Sequence, residues 1–498
     1  MRIPLNRTSQ EPIYLQIRDR ISRLIKSGSL QPGEQLPSIR ALAESVQVNK
    51  LTVIEAYGVL EADGLVFARQ GAGYFVNNFA SASNFANHGI ATPERSSTLD
   101  PAQEVVIAKK WGESFLDQYM TSLQAQQEPD MIDFTSGFPR PSGLEDLAKI
   151  ARRAMTQVGD VLFSYDFPQG QFTLRKQVAQ MLAWKLGLEV SADDLIITNG
   201  SKQALSLALQ YHLRAGDWAI VESPTYHGAI ALLENLGVRI IGIPMCKDGM
   251  NLELLEKYLH SHRPKLIYTI STLHNPTGIT TSQAHRRELL SLAEKYHCHI
   301  LEDNAYEGLN FAPSPAPIKA LDRSDLVTYV GTFSKTLMPG LRVGYMLATG
   351  KHYQALVEQK LLHDLHVSTV AQAIASEYLA SGHYRRHLNH LRTINHQRHD
   401  AMLQAMECNF PDSVRWTVPQ GGLFIWVQLP DRTPMAAIRQ AAAEQKVLIG
   451  CGKPFFPDGQ GYPALRLNFS QSLENIDRGI ALLGDLLKQF LLRSERIT

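Results

Sequence analysis

The chain has 498 residues, 44% of them hydrophobic and 19% charged, a globular composition and not a disordered one. That length exceeds one ordinary core, so two or three domains are expected. The formal net charge of +1 by itself argues for no polyanionic partner, and residues 1–78, with nine Lys/Arg against seven Asp/Glu, are only mildly basic, so any such partner must be argued from arrangement and not from bulk charge. No apolar run approaches the roughly 18 residues of a membrane span, and the start MRIPLNRTSQEPIYLQ lacks the apolar core of a secretory signal. Cys246, Cys298, Cys408 and Cys451 have no metal-like or framework spacing, so reduced thiols in a cytoplasmic protein are expected.

The first periodic segment places Ile13, Ile17, Ile21, Leu24 and Ile25 on one helical face, ended by Gly28 and the Pro32-Gly33 turn. Ser38 is a natural N-cap for a second helix burying Ile39, Leu42, Ala43 and Val46. After a break at Gln47-Val48-Asn49, a third helix is expected to bury Val53, Ala56, Val59 and Leu60 and to stop at Gly64. Two short helices across a tight turn make a helix-turn-helix. The apolar arms of LVFARQGAGYFV flank a glycine-rich tip and predict a β-hairpin wing. Helical periodicity alone would also suit an unrelated small domain; the polar start of the third helix favours a recognition helix meeting base edges and phosphates.

Residues 10–78 resemble the GntR family of winged-helix regulators, through LPSIRALAESVQVNKLTVIEAYGVLEADGLV and the wing RQGAGYFV. The resemblance implies that Arg40 clamps a phosphate and that Asn49, Lys50 and Thr52 face the major groove. It also implies that Arg69, Gln70, Gly71 and Gly73 reach the minor groove, and that the protein binds double-stranded DNA as a dimer on paired half-sites. Leu51 and Ile54 depart from the family, which often has polar or basic residues there, so no operator sequence carries over.

Residues 79–128 open with a Ser/Asn/Ala/Pro-rich run that reads as a linker; their second half, VVIAKKWGESFLDQYMTSLQ, suits a helix. From 129 to 498 short apolar runs alternate with helical patterns: LIIT, WAIVE, RIIGIP, KLIYTI, HILED and LVTYVGTF. Such runs between helices predict an α/β body with a mostly parallel sheet.

The chemistry sits at the ends of those runs. In GTFSKTLMPGLRVGY an apolar strand leads into Lys335, and Arg342 follows seven positions later. A lone lysine is ordinarily a solvated surface charge, but this one ends a buried strand, where open α/β sheets place ligands. A partly desolvated lysine loses its proton readily and can form a Schiff base with an aldehyde. Arg342 and Thr332 suit a phosphate. Gly200-Ser201-Lys202 opens an apolar helix after LIIT, with free amides for an anion. Asn275 in NPTG could bond a ring hydroxyl, Asp303 after HILE could hold a pyridine nitrogen protonated, and Tyr226 could stack on a ring. Each fragment alone could be a turn or a cap; their fixed order at strand ends points to pyridoxal 5′-phosphate.

From about 129 onward the chain resembles the fold type I, class I aminotransferases. The resemblance implies a smaller α+β domain, Lys335 as internal aldimine, and Asp303 on the ring nitrogen. It implies Asn275 and Tyr306 on the ring hydroxyl, and Ser201, Lys202, Thr332, Ser334 and Arg342 around the phosphate. Tyr165 would reach the neighbouring subunit's phosphate, Arg466 would grip a substrate α-carboxylate, and GGLFIW at 421–426 would lie in the small domain. A GntR-like head (1–78), linker (79–128) and aminotransferase-like body (129–498) resemble the MocR subfamily. That implies a head-to-tail homodimer in which an amino acid, an amine or the cofactor itself modulates operator binding. An active aminotransferase with an attached DNA-binding domain, and a DNA-binding protein that no longer holds cofactor, are the alternatives.

Overall fold

The computed structural model describes residues 13–26, 30–62, 65–69, 73–77, 106–107, 130–139 and 147–495, with isolated positions 5, 120 and 128. Most of the expected linker, Gly28, Gly64, Gln70 and Gly71 lie outside them, as does the side chain of Val59. The chain divides into two compact units, Met1–Pro93 and Glu94–Thr498.

The described residues of the first unit form three helices and a hairpin. Helix α1 (Ile13–Lys26) buries Ile17, Ile21 and Ile25; α2 (Ile39–Val46) buries Leu42, Ala43 and Val46. Ser38 caps α2 by accepting from the Ala41 amide at 3.2 Å. Gln47 turns the chain at φ +53°, and α3 (Lys50–Ala62) follows, burying Val53, Ala56, Tyr57 and Leu60. Tyr57 was not among the expected core residues; its hydroxyl donates to the Pro37 carbonyl at 2.7 Å and ties α3 to the start of α2. Strands β1 (Val66–Arg69) and β2 (Gly73–Val76) pair antiparallel as the wing.

The second unit is built on a nine-stranded sheet. In chain order its strands are β3 (Val106–Ile107), β5 (Leu195–Thr198), β6 (Trp218–Ser223), β7 (Arg239–Cys246), β8 (Gly249–Met250), β9 (Leu266–Thr269), β10 (His299–Asp303), β11 (Val327–Thr332) and β12 (Gly344–Leu347), while β4 (Ile132–Asp133) lies elsewhere. Spatial order is β3-β7-β6-β9-β10-β11-β12-β5, with β8 on β7. Strands β6, β7, β9, β10 and β11 are mutually parallel, and β12 runs antiparallel between β11 and β5. The six apolar runs all became strands, because continuous Val/Ile/Leu segments bury both faces under helices. The helix expected from VVIAKK onward is corrected at Val106–Ile107, which pair with Gly242 and Ile241 of β7; β-branched residues at a sheet edge favour the ladder over a helix.

A smaller antiparallel sheet, β13 (Arg415–Trp416), β14 (Phe424–Gln428), β16 (Gly450–Cys451) and β17 (Ala464–Asn468), packs with the helices His383–Asn409, Met435–Glu444 and Leu473–Glu495. Residues 421–426 lead into β14, as expected of the small domain. Strand β4 pairs with β15 (Val447–Leu448) and so belongs to this half.

Candidate functional site

Five strand ends converge on one place. Asp303 is the last residue of β10, Lys335 stands three residues past β11, and Tyr226 three past β6. Asn275 lies six past β9, and Ser201 opens a helix three past β5. All five strands point the same way, so their carboxyl ends share one rim of the sheet.

Asp303 is buried; its Oδ2 accepts from the Tyr268 hydroxyl at 2.8 Å and its Oδ1 from the Ala305 amide at 3.2 Å. Burial pushes this carboxyl up to about 6, although both hydrogen bonds and the Lys335 charge oppose that rise. Tyr268, in mid-strand, reads as core in the sequence and was not expected here. Lys335 is partly buried, with its Nζ donating to the Gly137 carbonyl at 2.7 Å and lying 5.8 Å from the Tyr306 ring. Burial, with help from the nearby Arg466 and Arg342 charges, brings this amine down to about 8. Asn275 Nδ2 reaches the buried Tyr306 hydroxyl at 3.5 Å.

The helix Ser201–His212 starts at Gly200 (φ +74°), with no side chain capping its first amides. A Cβ on Gly200 would fall 2.6 Å from Arg342 Nη2, and one on Gly344 would fall 2.5 Å from the Gly200 carbonyl carbon. These glycines let β12 and Arg342 close upon the helix start. Arg342 Nη2 donates to the Asn199 carbonyl at 3.1 Å. Burial and then the Arg342 charge lower the Lys202 amine, so two cations share this corner. Thr332 Oγ1 lies 3.1 Å from Ser334 Oγ and accepts from the Ser334 amide.

Arg466, on β17, enters from the small sheet. It is buried, its Nη1 donates to Asn275 Oδ1 at 3.0 Å, its Nη2 donates to the Thr135 carbonyl at 2.5 Å, and Phe424 and Phe455 flank it at 4.2 and 4.9 Å. Its Nε has no partner, and no carboxylate lies within ion-pair reach among the described residues. Burial pulls this guanidinium below its ordinary value. His227, also unexpected, follows Tyr226 at the next helix start; burial and the charges of Arg466, Lys202 and Lys335 hold it neutral, down to about 3. The segment 135–138 lines the same place with carbonyls: Thr135 faces Arg466, Gly137 faces Lys335, and Ser136 accepts from Asn468 Nδ2 at 2.7 Å. Tyr165 stands apart in character, 86% exposed, its ring edge-on to His366.

In the first unit, Lys50 opens α3 and is exposed, while Asn49 just before it accepts from the Leu51 amide through Oδ1 at 3.0 Å. Thr52 is half-buried. Arg40 is exposed and paired with Glu44 at 3.0 Å. Arg69 lies against the rings of Phe67 and Phe75, and Gly73 adopts φ +97° at the return of the hairpin.

Residues 129–483 match the model of aminotransferase class I and II, and residues 13–76 match bacterial regulatory proteins of the gntR family. The Escherichia coli HTH-type transcriptional regulator YdcR is 30% identical over 96% of this chain and 99% of its own length. The chain belongs to the MocR subfamily. Its Bacillus subtilis relative YdfD is 29% identical over 97% of this chain and 98% of its own. Among solved structures, LysN, the α-aminoadipate aminotransferase of Thermus thermophilus, complexed with N-(5′-phosphopyridoxyl)-L-leucine, covers 76% of this MocR chain and 100% of LysN at 31% identity and a TM-score of 0.69. The GntR-type winged helix-turn-helix and the fold type I body are therefore both present in one MocR chain. No described helix is long and apolar enough to cross a membrane.

Proposed function

We propose that the protein is a cytoplasmic transcription regulator whose operator binding responds to an amino acid or amine captured at a pyridoxal 5′-phosphate site around Lys335. The observation that carries this reading is Arg466. It is a buried guanidinium with an unpartnered Nε and, among the described residues, no carboxylate within ion-pair reach, in the same pocket as a lysine of lowered pKa. A chain that keeps such a carboxylate receptor behind a GntR-type head is equipped to sense a carboxylate.

The residues suit the cofactor. The start of the helix Ser201–His212, the Lys202 and Arg342 cations, and the Thr332 and Ser334 hydroxyls offer a phosphate cradle, and Gly200 and Gly344 let Arg342 and β12 approach it closely. Asp303 would face the ring nitrogen, Asn275 and Tyr306 the ring hydroxyl, and Tyr226 a ring face. When bound, pyridoxal phosphate supplies an aldehyde that condenses with an amine and a protonated ring that withdraws electrons. Lys335 contributes an amine of which roughly a tenth is unprotonated at pH 7, given a value of about 8. His227, held neutral, adds no charge to the pocket.

Arg466 and Lys335 both donate to carbonyls of 135–138, the segment that follows the proposed linker 79–128 in sequence. A ligand carboxylate competes with the Thr135 carbonyl for Arg466 and so loosens that segment. Signalling then requires the ligand to favour one arrangement of the heads. Cofactor arrival can act in the same way. Exposed Phe163, Tyr165, Phe167 and Phe172 support a homodimer in which Tyr165 serves the neighbouring subunit. Residues 1–78 serve as head and 129–498 as body, and of the 79–128 stretch between them Val106–Ile107 already pair into the body's sheet.

The test titrates amino acids and amines into cofactor-loaded protein while following visible absorbance, and then repeats operator titrations with each compound that perturbs the spectrum. A shift in operator affinity supports the regulator. The complete set of reactive side chains also favours a second reading, a working transaminase. Sustained keto-acid exchange without any effect on operator binding would establish that reading instead.

A further inference from the structure

Helix α3 is apolar on two opposite faces. Val53, Ala56, Tyr57 and Leu60 point into the core, yet Leu51 is 68% exposed and Ile54 45% exposed. The two are three positions apart and therefore neighbours on one stripe, which Gly58 continues with no side chain. Single exposed apolar residues are ordinary, but two branched aliphatics side by side on a recognition helix are not required by this unit's core. By contrast, α2 keeps its large aliphatics inward or half-buried.

We infer that Leu51 and Ile54 are specificity residues that pack against thymine C5-methyl groups in the major groove of the operator. The inference rests on the DNA-binding reading of α3 and sharpens it. The thymine methyl is the apolar feature of a major groove otherwise composed of hydrogen-bond donors and acceptors, so a Leu–Ile stripe has one complementary partner there. The stripe starts beside exposed Lys50 at the positive end of the helix, which suits phosphates at the groove edge and places the aliphatics toward its floor. Asn49 commits its Oδ1 to the Leu51 amide, so the first turn has less capacity for polar base readout. Where polar side chains would read guanine or adenine, this chain offers methyl contact, and its half-sites should carry thymines at fixed positions.

The test uses the full-length, cofactor-loaded protein. Duplexes are selected from a randomised pool, and each fixed thymine is then replaced by deoxyuridine, which removes only the methyl group. The expected result is a loss of roughly three- to fivefold in affinity per replaced thymine, the size of one buried methyl contact. Leu51→Ala should abolish the sensitivity at one thymine and Ile54→Ala that at another, with thermal melts confirming folding of these exposed variants. Uracil duplexes that bind as tightly as thymine duplexes would overturn the inference, and so would variants that weaken both equally. The deoxyuridine comparison needs no variant, so it stands whether or not the alanine proteins fold. Failure to select any sequence would instead sink the DNA-binding reading itself.

Discussion

Arg466 Nη1 donates to Asn275 Oδ1 at 3.0 Å, joining the small sheet to the loop after β9. One side chain of this pair belongs to the proposed ligand and the other to the proposed cofactor. Asn275 also faces Tyr306, so movement of Arg466 is felt at the ring-hydroxyl position. The contact makes the pocket one network.

Arg466→Gln should leave cofactor absorbance in place while lowering affinity for a carboxylate-bearing ligand by roughly thirtyfold or more, the cost of losing one partner of a buried charge-assisted contact. Spectral titration measures it, and simple amines lacking a carboxylate should lose little.

Tyr268→Phe should move the acid limit of cofactor retention upward. The Tyr268 hydroxyl stabilises the ionised Asp303, whose carboxyl already lies near 6. Retention in the unaltered protein should fail at a pH below that value, because the bound ring's positive charge lowers the carboxyl further and only a protonated Asp303 ceases to hold a charged ring nitrogen. Without the hydroxyl, the failure should come at higher pH. Absorbance after desalting at each pH is the readout.

Capture of pyridoxal phosphate by cofactor-free protein should accelerate about tenfold per pH unit below 8 and level off above it, because only the unprotonated Lys335 amine attacks. The sign for stability agrees. The unfolded lysine, near 10.5, binds its proton more tightly than the folded one, so folding stability of the cofactor-free protein should rise between pH 8 and 10.5 through this group. Stopped-flow absorbance tests the first statement and denaturant titration the second.

Lys50→Ala should weaken operator binding severalfold and reduce the slope of log affinity against log salt by about 0.9, with the cofactor spectrum unchanged. An unaltered slope would remove Lys50 from the phosphate contacts.

Much of this was legible in the sequence because continuous Val/Ile/Leu runs make buried parallel strands, and because the polar residues that terminate them, Asp303, Asn275, Ser201 and Lys335, interrupt the apolar pattern. Tyr268 was not, since an aromatic in mid-strand looks like core until its hydroxyl is seen on Asp303. His227 was hidden for a related reason: next to Tyr226 it looks like an ordinary helix start. The carbonyls of Thr135 and Gly137 have no side-chain signature at all. Strand β12 carries no signal of its own in the sequence, and its antiparallel insertion between β11 and β5 depends on Gly344 fitting against Gly200, a tertiary contact. Tyr57 bonds across twenty residues to Pro37, beyond the reach of helical periodicity.

Borohydride reduction of pyridoxal-phosphate-treated protein, followed by peptide mass mapping, tests the central claim most directly. A single phosphopyridoxyl adduct on the peptide containing Lys335, absent from Lys335→Ala, is the predicted result. No adduct, an adduct on another lysine, or the same adduct yield in the variant would contradict the account.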